Sequence, residues 1–112
     1  DIEAHYFAPG GWFGVVEVEG TIVASAGVYR ESDHTCELRK MYCLPGYRGQ
    51  GLGKQLLEHA LAQAKALGFT RVVLETASPL KEAIALYKRY GFTLFEPAHM
   101  AARCDQAYEL YL

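Results

Sequence analysis

The residues best suited to chemistry in this 112-residue chain lie in Gly46-Tyr47-Arg48-Gly49-Gln50-Gly51-Leu52-Gly53-Lys54, four glycines and two bases directly ahead of a long amphipathic run. Glycine lacks a Cβ, so such a stretch admits φ values closed to other residues and lets a ligand approach the main chain. A helix starting there leaves its first amides unpaired at the positive end of its dipole. With Arg48 or Lys54 beside them, those amides suit the oxygens of a pyrophosphate. Residue identity separates the competing phosphate patterns. G-x-x-x-x-G-K-[ST] requires Gly at Arg48 and Ser or Thr at Gln55, and G-x-G-x-x-G counted from Gly49 requires Gly at Lys54. Neither fits; R-x-x-G-x-G, from Arg48 to Gly53, does.

Other reactive side chains are scattered. Cys36, Cys43 and Cys104 are odd in number and form no C-x-x-C pair, which reads as free thiols in a reducing compartment and leads us to expect a cytoplasmic protein. His5, His34, His59 and His99 have no H-x-x-x-H spacing, so they read as surface histidines, with no metal and no Ser-His-Asp triad expected. A formal charge of -2 and no Lys/Arg-rich block leave no basic field for nucleic acid, so the eight Tyr and five Phe read as core packing rather than base-stacking platforms. No apolar run approaches the roughly 18 residues of a membrane span, and no signal-peptide pattern opens the chain. A soluble protein without nucleic-acid or membrane partners is expected.

The hydrophobic pattern says what must position the glycine loop. Trp12 to Glu19 and Thr21 to Tyr29 are two β-rich runs around a Glu19-Gly20 turn, and after a polar loop from Arg30 to Thr35 a third strand runs from Cys36 to Cys43. Leu52, Leu56, Leu57, Ala60, Leu61, Ala64 and Leu67 recur at helical spacing, and Gly68 follows as a C-terminal cap. A strand from Arg71 to Thr76 comes next. Ser78-Pro79 then reads as cap and first position of a helix over Leu80 to Tyr90, stopped by Gly91. Phe92 to Phe95 and Gln106 to Leu112 supply two last strands, separated by a loop from Glu96 to Cys104. The expected fold class is α/β (α+β), a mixed and mostly antiparallel sheet flanked by helices. One domain over residues 1–112 is expected, with a parallel strand-helix-strand unit from Cys36 to Thr76. That unit sets the glycines at the carboxyl end of a strand, where open α/β sheets bind ligands.

With R-x-x-G-x-G at a strand-to-helix junction, MYCLPGYRGQGLGKQLLEHAL from Met41 to Leu61 resembles the acyl-CoA motif of the GNAT superfamily of acetyl-CoA-dependent N-acetyltransferases. EAIALYKRYGF from Glu82 to Phe92 is similar to that family's later helix, A-x-x-L-Y-x-x-x-G-F. The likeness runs from about Trp12 to the C-terminus. Its fold normally opens with a strand and two helices, for which only DIEAHYFAPGG stands here. Those elements are expected either upstream of this sequence or in reduced form.

The resemblance implies an acetyl group passed from acetyl-CoA to the amine of a small molecule or peptide by direct attack in a ternary complex, with no metal. It implies main-chain contacts from Met41, Tyr42 and Cys43 to the pantetheine arm. The pyrophosphate would go to Arg48, Gly49, Gln50, Gly51, Leu52, Gly53 and Lys54, and the nucleotide phosphate to Lys88 or Arg89. Tyr87 holds the family's L-Y position and would be the acid for the departing sulfur, against a plainer role as a packed aromatic. Glu37 and Glu75 match positions where relatives carry a base or water-holding carboxylate, Glu37 ranking slightly ahead, against a plainer role as sheet residues paired with Arg39 or Arg71. Many relatives have a cofactor-binding Asn where this chain has Pro79-Leu80-Lys81. A non-catalytic acyl-CoA-binding module is the alternative, and a homodimer stays open.

Overall fold

Runs of β-branched and aromatic residues broken by turns fold into strands that share one sheet. The computed structural model describes residues 1–112. Its elements are β1 (Trp12–Val18), β2 (Thr21–Arg30), β3 (Thr35–Cys43), α1 (Leu52–Ala66), β4 (Arg71–Thr76), α2 (Lys81–Arg89), β5 (Thr93–Phe95) and β6 (Gln106–Tyr111). The six strands lie in the order β1-β2-β3-β4-β6-β5. Every neighbouring pair is antiparallel except β3 and β4, which run parallel with α1 as their crossover. The mixed, mostly antiparallel sheet expected from the sequence is the one observed.

Both helices lie side by side on one face of the sheet, since the Tyr90 hydroxyl at the end of α2 donates to Glu58 of α1 at 2.7 Å. α1 turns Leu56, Leu57, Ala60 and Ala64 inward, and α2 turns Ile84 and Tyr87 inward. They join Ala24, Ala26, Leu38, Val72 and Leu74 of the sheet in one apolar cluster. The small Ala24 and Ala26 of β2 admit the leucines of α1, and burying one such leucine contributes about 1.5–3 kcal/mol. Both helices end in Schellman motifs: Phe69 N–H bonds Ala64 O and Gly68 N–H bonds Lys65 O, while Phe92 N–H bonds Tyr87 O and Gly91 N–H bonds Lys88 O. The second explains one difference from the sequence reading. Phe92 is spent closing α2 against the Tyr87 ring, 5.7 Å away, so β5 starts at Thr93 rather than Phe92.

A second difference concerns the start of α2. The sequence suggests Ser78 as cap and Pro79 as first helical residue, but the helix begins at Lys81 after Leu80. Asp105, just ahead of β6, accepts from the Ser78 N–H and from the Ser78 hydroxyl, both at 2.7 Å, and holds that segment in a turn. The residues before β1 form a single π-helical turn, Glu3–Phe7, whose Tyr6 packs on Phe13 and Tyr29. Nothing in their periodicity announced it.

Cys36 lies fully buried in β3 opposite Val72 of β4, and burial pushes its thiol up to about 12 from an ordinary 9.0. The native state therefore keeps this proton over a range where the unfolded chain has lost it. The associated stability is complete below pH 9 and is lost as pH rises from 9 to 12. Denaturant titrations of the wild type across that range should show a steep fall in unfolding free energy, to which Cys36 adds up to about 4 kcal/mol. Cys36→Ala should flatten the fall; an unchanged slope would show that the thiol does not titrate this way.

Candidate functional site

Strand β3 carries a β-bulge. Tyr42 pairs with Ser25 and Arg39 with Gly27, so Lys40 and Met41 together face the single residue Ala26. Lys40 takes a left-handed φ of 58° there, and the Ser25 hydroxyl donates to its carbonyl at 2.6 Å. On its other edge β3 pairs with β4 through Thr35, Cys36 and Glu37 and no further. Beyond Glu37 the two parallel strands separate, and a cleft of about 860 Å³ opens between them.

This gap brings together side chains from opposite faces of the sheet. Cys36, Leu38, Val72 and Leu74 join the helix-covered core, so the alternation of a strand sends Glu37 and Glu75 to the other face. Tyr87 belongs to the core cluster beneath the helices. All three nevertheless line the same cleft, together with Met41. Glu37 is buried and ion-paired with Arg39, whose guanidinium lies 3.8 Å from the centre of the Tyr29 ring. Glu75 has no cationic partner and accepts the Ala101 N–H at 2.9 Å. Tyr87 is 6% exposed, yet its hydroxyl makes no hydrogen bond within the chain and is not sealed from solvent. Burial pushes the phenol up to about 12, so at neutral pH it stays protonated and available as a donor.

At the far end of β3 a 3-10 turn, Pro45–Tyr47, leads into the glycine loop, and Arg48 Nε ties that loop back to the Cys43 carbonyl at 3.2 Å. Gly49 and Gly51 have φ of 79° and 81°, the left-handed region that glycine enters without cost. Gly51 caps α1, and no acidic side chain occupies the first turn. After Arg48 N–H, which bonds the Pro45 carbonyl, the next amide to find an acceptor is Gln55 N–H, on the Gly51 carbonyl. The six before it, from Gly49 to Lys54, have none in the chain. This row of bare donors at the positive end of a helix can hold a multiply charged anion. No three His, Cys, Asp or Glu side chains converge as a metal-binding group.

Glu37, Glu75, Tyr87 and Met41 thus share one cleft, while Tyr42 and Cys43 continue β3 toward the loop bearing Arg48 to Lys54. Lys88 and Arg89 are exposed in the last turn of α2. Sequence reasoning missed the bulge at Lys40, which has no local signature in a run of ordinary strand residues. It also missed Glu31 and the Met100–Cys104 segment as cleft walls, because only the pairing of β4 with β6 brings that segment over.

A family model described as the acetyltransferase (GNAT) family matches residues 1–92. The chain is 50% identical over 91 residues to the uncharacterized N-acetyltransferase YjgM of Escherichia coli (strain K12), covering 78% of this chain and 54% of that one. It spans between a third and about half of the length of the first curated relatives it matches. An acetyltransferase structure from Streptococcus agalactiae 2603 superposes with a TM-score of 0.90 at 29% identity, covering 99% of this chain and 73% of that one. A GNAT family acetyltransferase from Elizabethkingia anophelis, with acetyl-CoA bound, has the same fold at a TM-score of 0.75 and 19% identity, covering 95% and 79%.

The glycines of the loop give a test that separates folding from binding. Gly53 lies inside the first turn of α1, and a Cβ there would meet only Leu86 Cδ2 at an ordinary 4.0 Å. Gly53→Ala should therefore raise unfolding free energy by up to about 1 kcal/mol through helix propensity. Gly51→Ala, forced into a positive φ, should lower it by about 1 kcal/mol. Equal effects of the two substitutions in thermal unfolding would contradict this account of the loop.

Proposed function

The chain belongs to the acetyltransferase (GNAT) family, and from that premise we propose that it transfers the acetyl group of acetyl-CoA to a primary amine by direct attack in a ternary complex. The single observation that carries this reading is the convergence of a protonated, unpartnered Tyr87 and the carboxylates Glu37 and Glu75 on one cleft, beside a helix start with six unpaired amides. The bound acetyl-CoA of the Elizabethkingia anophelis relative supports the choice of donor. The diphosphate takes the amides of Gly49 to Lys54, with Arg48 and Lys54 adding charge. The pantetheine arm lies along the edge of β3 that β4 leaves open at Met41, Tyr42 and Cys43, hydrogen-bonding as an added strand does.

The thioester then sits beside Tyr87. The acceptor nitrogen attacks the carbonyl carbon, the new N–C bond forms and the C–S bond breaks. A carboxylate, directly or through one water, removes the proton from nitrogen, and the phenol hydrogen-bonds to the sulfur as charge builds on it. A phenol near 12 is a weaker acid than an alkyl thiol near 8.5, so transfer of its proton to a free thiolate is uphill by about 5 kcal/mol. Tyr87 therefore acts as a hydrogen-bond donor at the departing sulfur, and the thiolate takes its proton from solvent. Glu37 is already ion-paired with Arg39. Glu75, held by one amide and paired with no cation, is left to accept the proton, and Glu37 orients Arg39 on the cleft wall.

Thiol release from acetyl-CoA, followed with a panel of polyamines, amino acids, aminoglycosides and peptides, tests the reading directly. Tyr87→Phe should lower kcat by about 10²-fold while leaving acetyl-CoA affinity unchanged. Equal turnover in the two proteins removes the hydroxyl from the chemistry. Acetyl-CoA bound tightly with no thiol released on any amine would leave a non-catalytic acyl-CoA-binding module.

A further inference from the structure

Beyond the cleft that holds Tyr87, the cavity continues into a smaller lobe of about 320 Å³ between β4 and the loop at Pro97 to His99. The two spaces share the wall formed by Glu31, Glu37, Leu74, Glu75 and His99. Their charges differ. Lys40, Arg39 and Arg103 line the larger space and are absent from the lobe, where Arg71 is the only arginine or lysine. Arg71 is already committed: its guanidinium contacts the Glu109 carboxylate at 2.8 Å and lies over the Phe95 ring. Glu37 is matched by Arg39. Glu31 and Glu75 remain, two carboxylates on one small cavity with no cationic side chain paired to either.

A group of carboxylates on a surface is ordinarily just solvated, but Glu31, Glu37 and Glu75 also border the larger space, which is lined in part by Tyr87, a nine-tenths-buried side chain whose hydroxyl has no partner in the chain. The Glu31 carboxyl is raised from its ordinary range, first by partial burial and next by the Glu37 carboxylate, with Arg39 and Arg71 opposing the rise without pairing with it.

We infer that the lobe is the acceptor subsite and that it selects a small aliphatic amine with a second ammonium group, the near nitrogen held at Glu75 beside Tyr87 and the distal ammonium at Glu31. This rests on the acetyltransferase reading given above. The volume accommodates on the order of ten non-hydrogen atoms, at the roughly 30 Å³ that each water-sized group occupies, so a linear di- or triamine fits. An α-amino acid is disfavoured, because its carboxylate enters beside Glu31, Glu37 and Glu75 and the one arginine of the lobe, Arg71, is held by Glu109. Glu31 is then a specificity residue that binds the far end of the substrate and takes no part in bond making.

The test compares kcat and KM for an aliphatic diamine, a monoamine of equal chain length and an acidic α-amino acid, in the wild type and in Glu31→Gln. The diamine should have the lowest KM of the three. Glu31→Gln should raise its KM by about two- to five-fold, the range of one partly exposed ion pair, with kcat unchanged and the monoamine unaffected. The diamine's advantage should also shrink as salt is raised. A general structural effect of the substitution moves both amines equally and would overturn the inference. So would preference for the monoamine or the amino acid; in either case thiol release continues and the transferase reading stands. Thiol release with none of the three, nor with any amine of the wider panel, removes that reading and this inference with it.

Discussion

The parallel contact between β3 and β4 lasts for three residues, Thr35 to Glu37 against Arg71 to Val73, and the site depends on its stopping there. In a continuous sheet, Tyr87 on the helix side and Glu37 and Glu75 on the other side would be separated by backbone and could not act on one molecule. The bulge at Lys40 bends β3 while its pairing with β2 continues, so one edge of the strand stays satisfied and the other is left open. A bulge with a non-glycine residue in the left-handed region costs about 1–2 kcal/mol. The Ser25 hydroxyl bond to the Lys40 carbonyl offsets part of that.

The same strand positions the loop proposed to hold the anion. β3 ends at Cys43, a 3-10 turn follows, and two glycines with positive φ turn the chain into α1 so that six successive amides find no acceptor before Gln55. The cleft and the amide row are thus two ends of one element, and a ligand with a thioester at one end and a diphosphate at the other can contact both. The lining of the cavity is uneven: Arg39, Lys40 and Arg103 border only the wider part, while Glu31, Glu37 and Glu75 border both spaces. The diphosphate of the donor is proposed to meet the bare amides and bases of the glycine loop, and a cationic acceptor the carboxylates that border the lobe.

Much of this was legible in the sequence because it is local. The glycine spacing before an amphipathic run, the Gly68 and Gly91 stops and the Glu19-Gly20 turn each depend on neighbours along the chain. They gave six strands and two helices with ends within a few residues of those observed. The misses are tertiary. Ser78 has the composition of a helix cap, yet its hydrogen-bonding groups go to Asp105, 27 positions away. Phe92 belongs by composition to a strand but is used to close α2. The bulge at Lys40 and the walls supplied by Glu31 and the Met100–Cys104 segment follow from strand pairing, which periodicity does not encode. The pairing of Glu37 with Arg39, read from the sequence as its plainer role, is present, while Arg71 pairs with Glu109 and leaves Glu75 to the Ala101 amide.

The most direct measurement is a titration of the isotopically labelled chain with coenzyme A, following each main-chain amide by NMR together with its exchange with solvent. Diphosphate bound at the head of α1 predicts downfield shifts and new exchange protection at Gly49, Gln50, Gly51, Leu52, Gly53 and Lys54, with further changes along Met41 to Cys43. Saturating coenzyme A that leaves those six amides unmoved and unprotected would contradict the account at its base.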